Sequence, residues 1–456
     1  MKAVKPVISP LMKELSAYMS SALGKPLPAP VVERAKVHIV DTFAAMISGS
    51  RLPPGKKAIA YVKALGGKPQ AGIIGTRVLT SVTNAALANG MLSHADETDD
   101  THPPSRTHPG SGVVPAALAI AERDRLTGAA FLRAVVLGYD ICARIMLSIG
   151  ELHFRQTGHH PSTFGRLFGA AAAAGALLKL DARQTRFMLS YASQQAAGLS
   201  TVYRDTEHIE KAFMAGMPTQ SGVAAAVMVE HGFSGVEDVF SGDRNFFYTF
   251  APEAVRERLV HGLGRDYEIM RCGIKRWSAG GPIQAPLHVL QELIREHGFK
   301  GTDVQKLCVR MPHKDLMSVN NRDMPNICVQ HQLAVMLADG TVTFKSAHDY
   351  ARMRDTKVLA MRKKVDAVGD PGLTSAERGW RCIMDVTLKD GRRLTHQTMA
   401  AKGSSANPIA RQDEQEKALD LMGPVLGKPR AQKLLKSLWD FHRIKDVRTL
   451  RALIQP

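Results

Sequence analysis

Aromatic residues are scarce, at 6% of 456 positions. The chain shows no aromatic stripe, no helix-turn-helix signature and no zinc-finger spacing, which excludes the usual nucleic-acid-binding modules. The five cysteines, Cys142, Cys272, Cys308, Cys328 and Cys382, are odd in number and far apart, with no CxxC pair. That excludes a disulfide framework and a thiolate zinc site, and it fits reduced thiols in a cytoplasmic protein. Long apolar runs are also missing. The softest stretch, GAAAAAGALLKL at 169–180, is well short of the roughly 18–20 residues of a membrane span. The N-terminal stretch MKAVKPVISPLMKELSAYM lacks the continuous apolar run and cleavage site of a secretory signal. No Gly-x-Ser-x-Gly elbow occurs. GLGRDY (262–267) lacks the third glycine of a dinucleotide fingerprint, and GSRLPPGKK fails the phosphate-loop spacing.

What the chain does have is basic charge, a formal +18, against an ordinary 45% of hydrophobic residues. The excess is spread out, with a concentration from Lys428 to Arg451. It reads as a solvated basic surface and is compatible with a small polyanionic substrate. Residues 1–269 repeat apolar positions at helical spacing, as in PVVERAKVHIVDTFAAMISGS and GAAFLRAVVLGYDICARIML. Their Ala and Gly content lets helices approach closely. The texture changes near 270. VQKLCVRMPHK alternates, and WRCIMDVTLKDGRRLTHQTMA places two strand-like runs around an Asp390-Gly391 turn. The predicted fold is mainly α: a large all-helical domain (1–269), a smaller α+β domain (270–405), and C-terminal helices (406–456) that rejoin the first.

The densest chemistry lies in HADETDDTHPPSRTHPG (94–110), with four acids, three histidines and an arginine between two apolar helical runs. A calcium loop fails on spacing: Thr101 stands where glycine is needed and Thr107 where glutamate is needed. His94, Asp99, His102 and His108 leave a loose zinc or manganese site open. On a continuing helix His94, Glu97 and Thr101 would share a face. Ser111 is a candidate N-cap, which would set His108 beside a helix N-terminus suited to a carboxylate. His159 and His160 precede another helix. Lys211 lies in DTEHIEKAFMAG, and Lys275 and Arg276 in CGIKRWSAGG. Each of these, taken singly, also reads as a structural or solvated group.

Taken in order, HADETDDTH…THPGSGVVPAALAIAE, GYDICARI, HPST…FGAAAAAGALLKLD, KAFMAGMPTQSG, IKRWSAGGPIQAP and HQLAVMLADG resemble the 2-methylcitrate dehydratase (MmgE/PrpD) family, over nearly the whole chain. That family includes dehydratases, cis-aconitate decarboxylase and iminodisuccinate epimerase. The resemblance implies a helical domain with a smaller α+β lid domain, a homodimer, and no metal or organic cofactor. It places the catalytic residues at His108, His160, Lys211 and Lys275. Glu97 and Thr101 fall on loop positions that orient or bind substrate. His159 is the alternative to His160, and Arg276 and His331 are further binding candidates. His331 stands where the decarboxylase has a tyrosine.

These residues suit proton transfer next to a carboxylate. Lysines stabilise the developing enolate charge, and a histidine gives or takes the proton. The expected activity is a cofactor-independent lyase, a dehydratase of a small di- or tricarboxylate. An epimerase or decarboxylase of a similar acid is the enzymatic alternative, and a non-catalytic basic binding protein is the other class. The expected partners are a small anionic carboxylic acid and a second copy of the chain, with no nucleic acid and no membrane.

Overall fold

The structure is a computed structural model that describes residues 7–150, 156–374 and 380–455. The first six residues of the N-terminal stretch lie outside the described residues. The chain divides into two compact units, the first comprising residues 1–95, 99–272 and 421–456, and the second 96–98 and 273–420. Residues 406–420, expected with the C-terminal helices of the first unit, group instead with the second. The polar link at 402–410 is followed by a helix, Arg411–Leu426, that runs across the division without a break.

The first unit is built of helices α1 (Pro10–Ser21), α2 (Ala29–Gly49), α3 (Pro53–Leu65), α4 (Val82–Ser93), α5 (Gly110–Arg123), α6 (Gly128–Ile149), α7 (Pro161–Leu177), α8 (Ala182–Gln194) and α9 (Ile209–Glu230). Local chemistry sets several starts. Ser81 caps α4, Thr127 caps α6, and Asp181 forms a capping box with Gln184 at α8. Missing side chains set the spacing between helices. A Cβ on Gly138 of α6 would sit 2.9 Å from the Gly169 carbonyl oxygen of α7, and one on Gly90 of α4 would sit 2.9 Å from Gly216 Cα of α9. These approaches pack α6 closely on α7 and α4 on α9, and α5, α7 and α9 also contact one another. Helix α9 is long and apolar enough to cross a bilayer by length and composition, which corrects the expectation that no stretch comes near this. It packs against α4, α5, α7 and α8 within the unit, as a core helix does.

In the second unit α10 (Gln284–His297) and α11 (Val329–Asp339) pack with a four-stranded sheet. Its strands are β1 (Val304–Met311), β2 (Val365–Gly369), β3 (Cys382–Leu388) and β4 (Arg393–Thr398), in the order β2-β1-β3-β4. β1 runs parallel to β2 and antiparallel to β3, and β3–β4 form the hairpin around Asp390-Gly391. Alternate residues of β3, Cys382, Met384, Val386 and Leu388, are buried in the unit's core. The fold is mainly α with a smaller α+β unit, as its sequence predicts.

Candidate active site

Helix α4 ends at Ser93, with His94 as its C-cap. The expected face of His94, Glu97 and Thr101 therefore does not form, because the helix stops before it. His94 Nδ1 donates to Asp99 Oδ2 at 2.9 Å, and both side chains are fully buried. Asp100 faces the other way. Its Oδ2 accepts from His38 Nδ1 at 2.8 Å and from Tyr139 OH at 2.6 Å, and its Oδ1 accepts from the Gly110 amide at 3.0 Å. Gly110 has to be glycine here: a Cβ would lie 2.6 Å from Thr42 Oγ1 and 2.7 Å from Tyr139 OH. Helix α5 thus opens at Gly110 behind Pro109, not behind a Ser111 cap. The Ser111 hydroxyl instead donates back to the His108 carbonyl at 3.0 Å.

His108 is held by its own backbone. Its amide donates to Ser162 Oγ of α7 at 3.1 Å, and its carbonyl accepts from Arg166 Nε at 3.2 Å. Its ring Nδ1 lies 2.6 Å from the Asp100 carbonyl oxygen. A carbonyl only accepts, so Nδ1 carries the proton and Nε2 is the position that exchanges one. The His108 side chain is about a quarter exposed, at 23%. Asp99 Oδ2 lies 3.7 Å from His108 Nδ1 and 3.7 Å from Arg166 Nη2.

His160 is the N-cap of α7. Its Nδ1 accepts from the Ser162 amide at 3.2 Å, and its Nε2 lies 3.1 Å from Tyr203 OH. Burial pushes its pKa well down, and the charges of Arg166, His108, Lys211 and Arg106 push it the same way. A neutral ring with Nδ1 accepting carries its proton on Nε2. Lys211 sits in the first turn of α9, where a cation opposes the helix dipole, and that turn is tied to Asp205 through the Lys211 amide at 3.0 Å. His208 caps α9 in a left-handed conformation, with its ring 5.8 Å from that of His94. The first unit therefore joins His108, His160 and Lys211 near the starts of α5, α7 and α9, with Arg166, Lys211 and Arg106 supplying positive charge. Such a cluster is suited to an anion. The alternative histidine, His159, packs edge-on against Phe164 and Phe250, with its Nδ1 3.0 Å from Thr157 Oγ1. The Thr101 hydroxyl donates to the Thr107 carbonyl at 3.4 Å and braces the loop.

In the second unit Lys275 is 1% exposed, with its ammonium 3.4 Å from Glu97 Oε2. Gln284 secures the neighbouring turn by bonding Trp277 and Ala279 through its amide. Arg276 lies over the Trp277 ring and 3.6 Å from Asp413. His331 is fully buried in the first turn of α11, and burial pushes its pKa down to about 4. Glu97 has buried neighbours of its own: Lys417 donates to the Thr98 carbonyl at 3.1 Å, and His348 Nε2 lies 2.9 Å from Asp96 Oδ2.

His348 Nδ1 lies 2.8 Å from the Phe344 carbonyl, so both ring nitrogens face acceptors and the imidazolium is favoured. Burial lowers its pKa, but Asp96 and the carbonyl outweigh burial, and the net shift is upward. A raised histidine stabilises the fold fully below its unfolded value of about 6.5 and loses that contribution as pH rises through the folded value. Melting temperature is expected to fall above about pH 6.5, and His348→Gln is expected to flatten that fall by on the order of a few degrees. Parallel melting curves for the two proteins would remove the pair from the account.

Sequence reasoning missed Arg166, Tyr203 and His208, weighed Asp99 only as a metal-site candidate, and gave Asp100 no task of its own. Arg166 carried a signal: a lone arginine in the Ala- and Gly-rich run PSTFGRLFGAAAAAG, where a charge is buried only when it is engaged. The four residues left open as a loose metal site are not gathered, since His102 Nε2 is committed to Glu268 at 3.0 Å. Among the described residues, the group whose ligand atoms lie close enough to hold a metal is His38, Asp100 and Cys272.

The large helical unit holds a buried histidine–carboxylate cluster, and the smaller α+β unit a buried lysine–carboxylate pair. The MmgE/PrpD N-terminal domain matches residues 13–258 and the MmgE/PrpD C-terminal domain residues 277–441. The chain belongs to the MmgE/PrpD family. It is 24% identical over 445 residues to the human cis-aconitate decarboxylase, covering 93% of this chain and 90% of that one. It is 23% identical over 476 residues to the cis-aconitate decarboxylase-like protein oryM of Aspergillus oryzae, covering 97% and 96%. A cis-aconitate decarboxylase of Aspergillus terreus is 22% identical over 481 residues, covering 98% and 96%. These relatives support an enzyme of the decarboxylase or dehydratase type.

Proposed function

We propose that the protein is a lyase that dehydrates a small di- or tricarboxylate of the 2-methylcitrate kind by proton transfer at a carbon next to a carboxylate. The observation that carries this reading is His108. Its Nδ1 proton is given to a backbone carbonyl, so Nε2 is its one exchanging position, beside a cluster of cations. In the reaction a base removes the α-proton, negative charge builds on the adjacent carboxylate, and the leaving hydroxyl departs as water once protonated. Lys211 and Lys275 are the carboxylate-binding lysines that the family resemblance implies. His108 is the principal acid and base, and His160 assists through Nε2. Glu97 and Thr101 order the loop. The enzyme would work in the cytoplasm as a homodimer and needs no metal or organic cofactor.

A second reading, decarboxylation of a cis-aconitate-like acid, is favoured by the names of the relatives. In that case a C–C bond breaks, carbon dioxide leaves, and the histidine protonates the carbanion. His331 in place of the decarboxylase tyrosine weighs toward dehydration. Purified full-length protein would be incubated with 2-methylcitrate, citrate and cis-aconitate in metal-free buffer. The expected result is alkene formation from a hydroxy acid without carbon dioxide. Carbon dioxide from cis-aconitate would establish the second reading. Deuterium uptake at Cα without net conversion would indicate an epimerase. Inertness across the panel, with no thermal shift, would overturn all three.

A further inference from the structure

We propose that Asp99 is a positioning residue whose carboxylate sets the proton affinity of His108. The inference rests on the acid–base role given to His108 above.

The geometry isolates Asp99 for this purpose. Of the two adjacent acids, Asp100 is consumed by His38, Tyr139 and the Gly110 amide. Asp99 is fully buried and faces cations or protonatable groups: His94 at 2.9 Å, His108 at 3.7 Å and Arg166 at 3.7 Å. His94 gives its Nδ1 proton to Asp99, and burial holds the His94 pKa well down although the Asp99 charge and hydrogen bond pull it up. His94 is thus a neutral prop. It fixes the carboxylate, and its ring packs 5.2 Å from that of His108.

The surroundings of His108 are otherwise cationic. Arg166 of α7 donates to the His108 carbonyl, and Arg166, Lys211 of α9 and Arg106 of the loop all act on the neighbouring His160, while the rings of His160 and of His94 at the end of α4 stay neutral and His208 packs beyond His94. Permanent positive charges from Arg166, Lys211 and Arg106 oppose the imidazolium that His108 must form in either direction of proton transfer. Asp99 supplies the compensating negative charge, close enough to act through a poorly screened interior. Its Oδ2 is 3.7 Å from the His108 Nδ1. It therefore tunes charge while the Asp100 carbonyl fixes the tautomer. The two tasks are divided between neighbouring residues of one loop.

The direction of the effect does not depend on the reaction catalysed. Removing the carboxylate leaves His108 among cations and lowers its pKa. If His108 must start as a base, the acid limb of the pH–rate profile moves to lower pH. If it must start as an acid, the alkaline limb does.

The test is the titration of His108 in the full-length protein, followed by imidazole nitrogen NMR and assigned by loss of its resonance in His108→Gln. In Asp99→Asn the His108 midpoint is expected to fall by about one pH unit or more, a tenfold loss of proton affinity per unit. Asp99→Glu is expected to restore most of it. Should Asp99→Asn fail to fold, Asp99→Ser removes the same carboxylate and is expected to lower the same midpoint. An unchanged midpoint in whichever of Asp99→Asn and Asp99→Ser can be measured would overturn the proposal. The measurement needs no substrate. Failure of the lyase reading would appear as inertness toward the acid panel with the titration shift intact. Failure of this inference would appear as an unmoved titration in an active enzyme.

Discussion

His108→Ala is expected to lower turnover of whichever acid the protein accepts by roughly 10²- to 10⁴-fold, the usual worth of a positioned general acid or base, while the fold stays intact. The reason for the second half is structural. What ties residue 108 to the rest of the unit is mostly main chain: its amide on Ser162 and its carbonyl on Arg166 and Ser111. Alanine keeps all three. The ring bonds the Asp100 carbonyl and is partly exposed, so its loss leaves no large cavity. The variant should melt close to wild type and still show a thermal shift with the substrate acid. Turnover within a few-fold of wild type would end the acid–base assignment.

Asp100→Ala is expected to have the largest effect on stability, about 3–5 kcal/mol. The carboxylate is the acceptor for a buried histidine, a buried tyrosine and the first amide of α5. Burial and the Asp100 charge push the Tyr139 hydroxyl pKa well up, so Tyr139 stays a donor throughout the accessible pH range. Alanine would strand three donors in a site too tight for rearrangement. Denaturant unfolding at equilibrium would report this as a lower midpoint. A loss below about 1 kcal/mol would mean that the loop is held by other contacts. Asp100→Asn should cost less, because one oxygen remains to accept the Gly110 amide.

The sequence made the fold legible where periodicity is strong. The hairpin around Asp390-Gly391 and the alternation of β3 needed only local reasoning. The division near 405 failed because a polar link looks like a boundary, whereas Arg411–Leu426 carries residues up to 420 with the second unit. In the loop, the density of charge marked the site, but the pairing was not readable. His38 meets Asp100 across 62 positions and His108 meets Ser162 across 54, and no local spacing rule reaches that far. Asp99 and Asp100 are neighbours with opposite tasks, which depend on which side of the backbone each helix passes. Ser111 was misread as a cap because Pro109 and Gly110 already start the helix two residues earlier.

The gathering of Arg166, Lys211 and Arg106 around His108 and His160 also bears on how the protein should be handled. Like charges held together by packing repel, and an oxyanion of the right size relieves the repulsion whether or not it can react. Sulfate and phosphate are then expected to compete with the acid, so that a phosphate-buffered assay raises KM and leaves kcat unchanged. Ionic strength acts in two opposing ways, weakening the capture of an acid while easing the strain of the empty protein. A comparison of candidate acids is therefore meaningful only in a weakly coordinating buffer at constant salt.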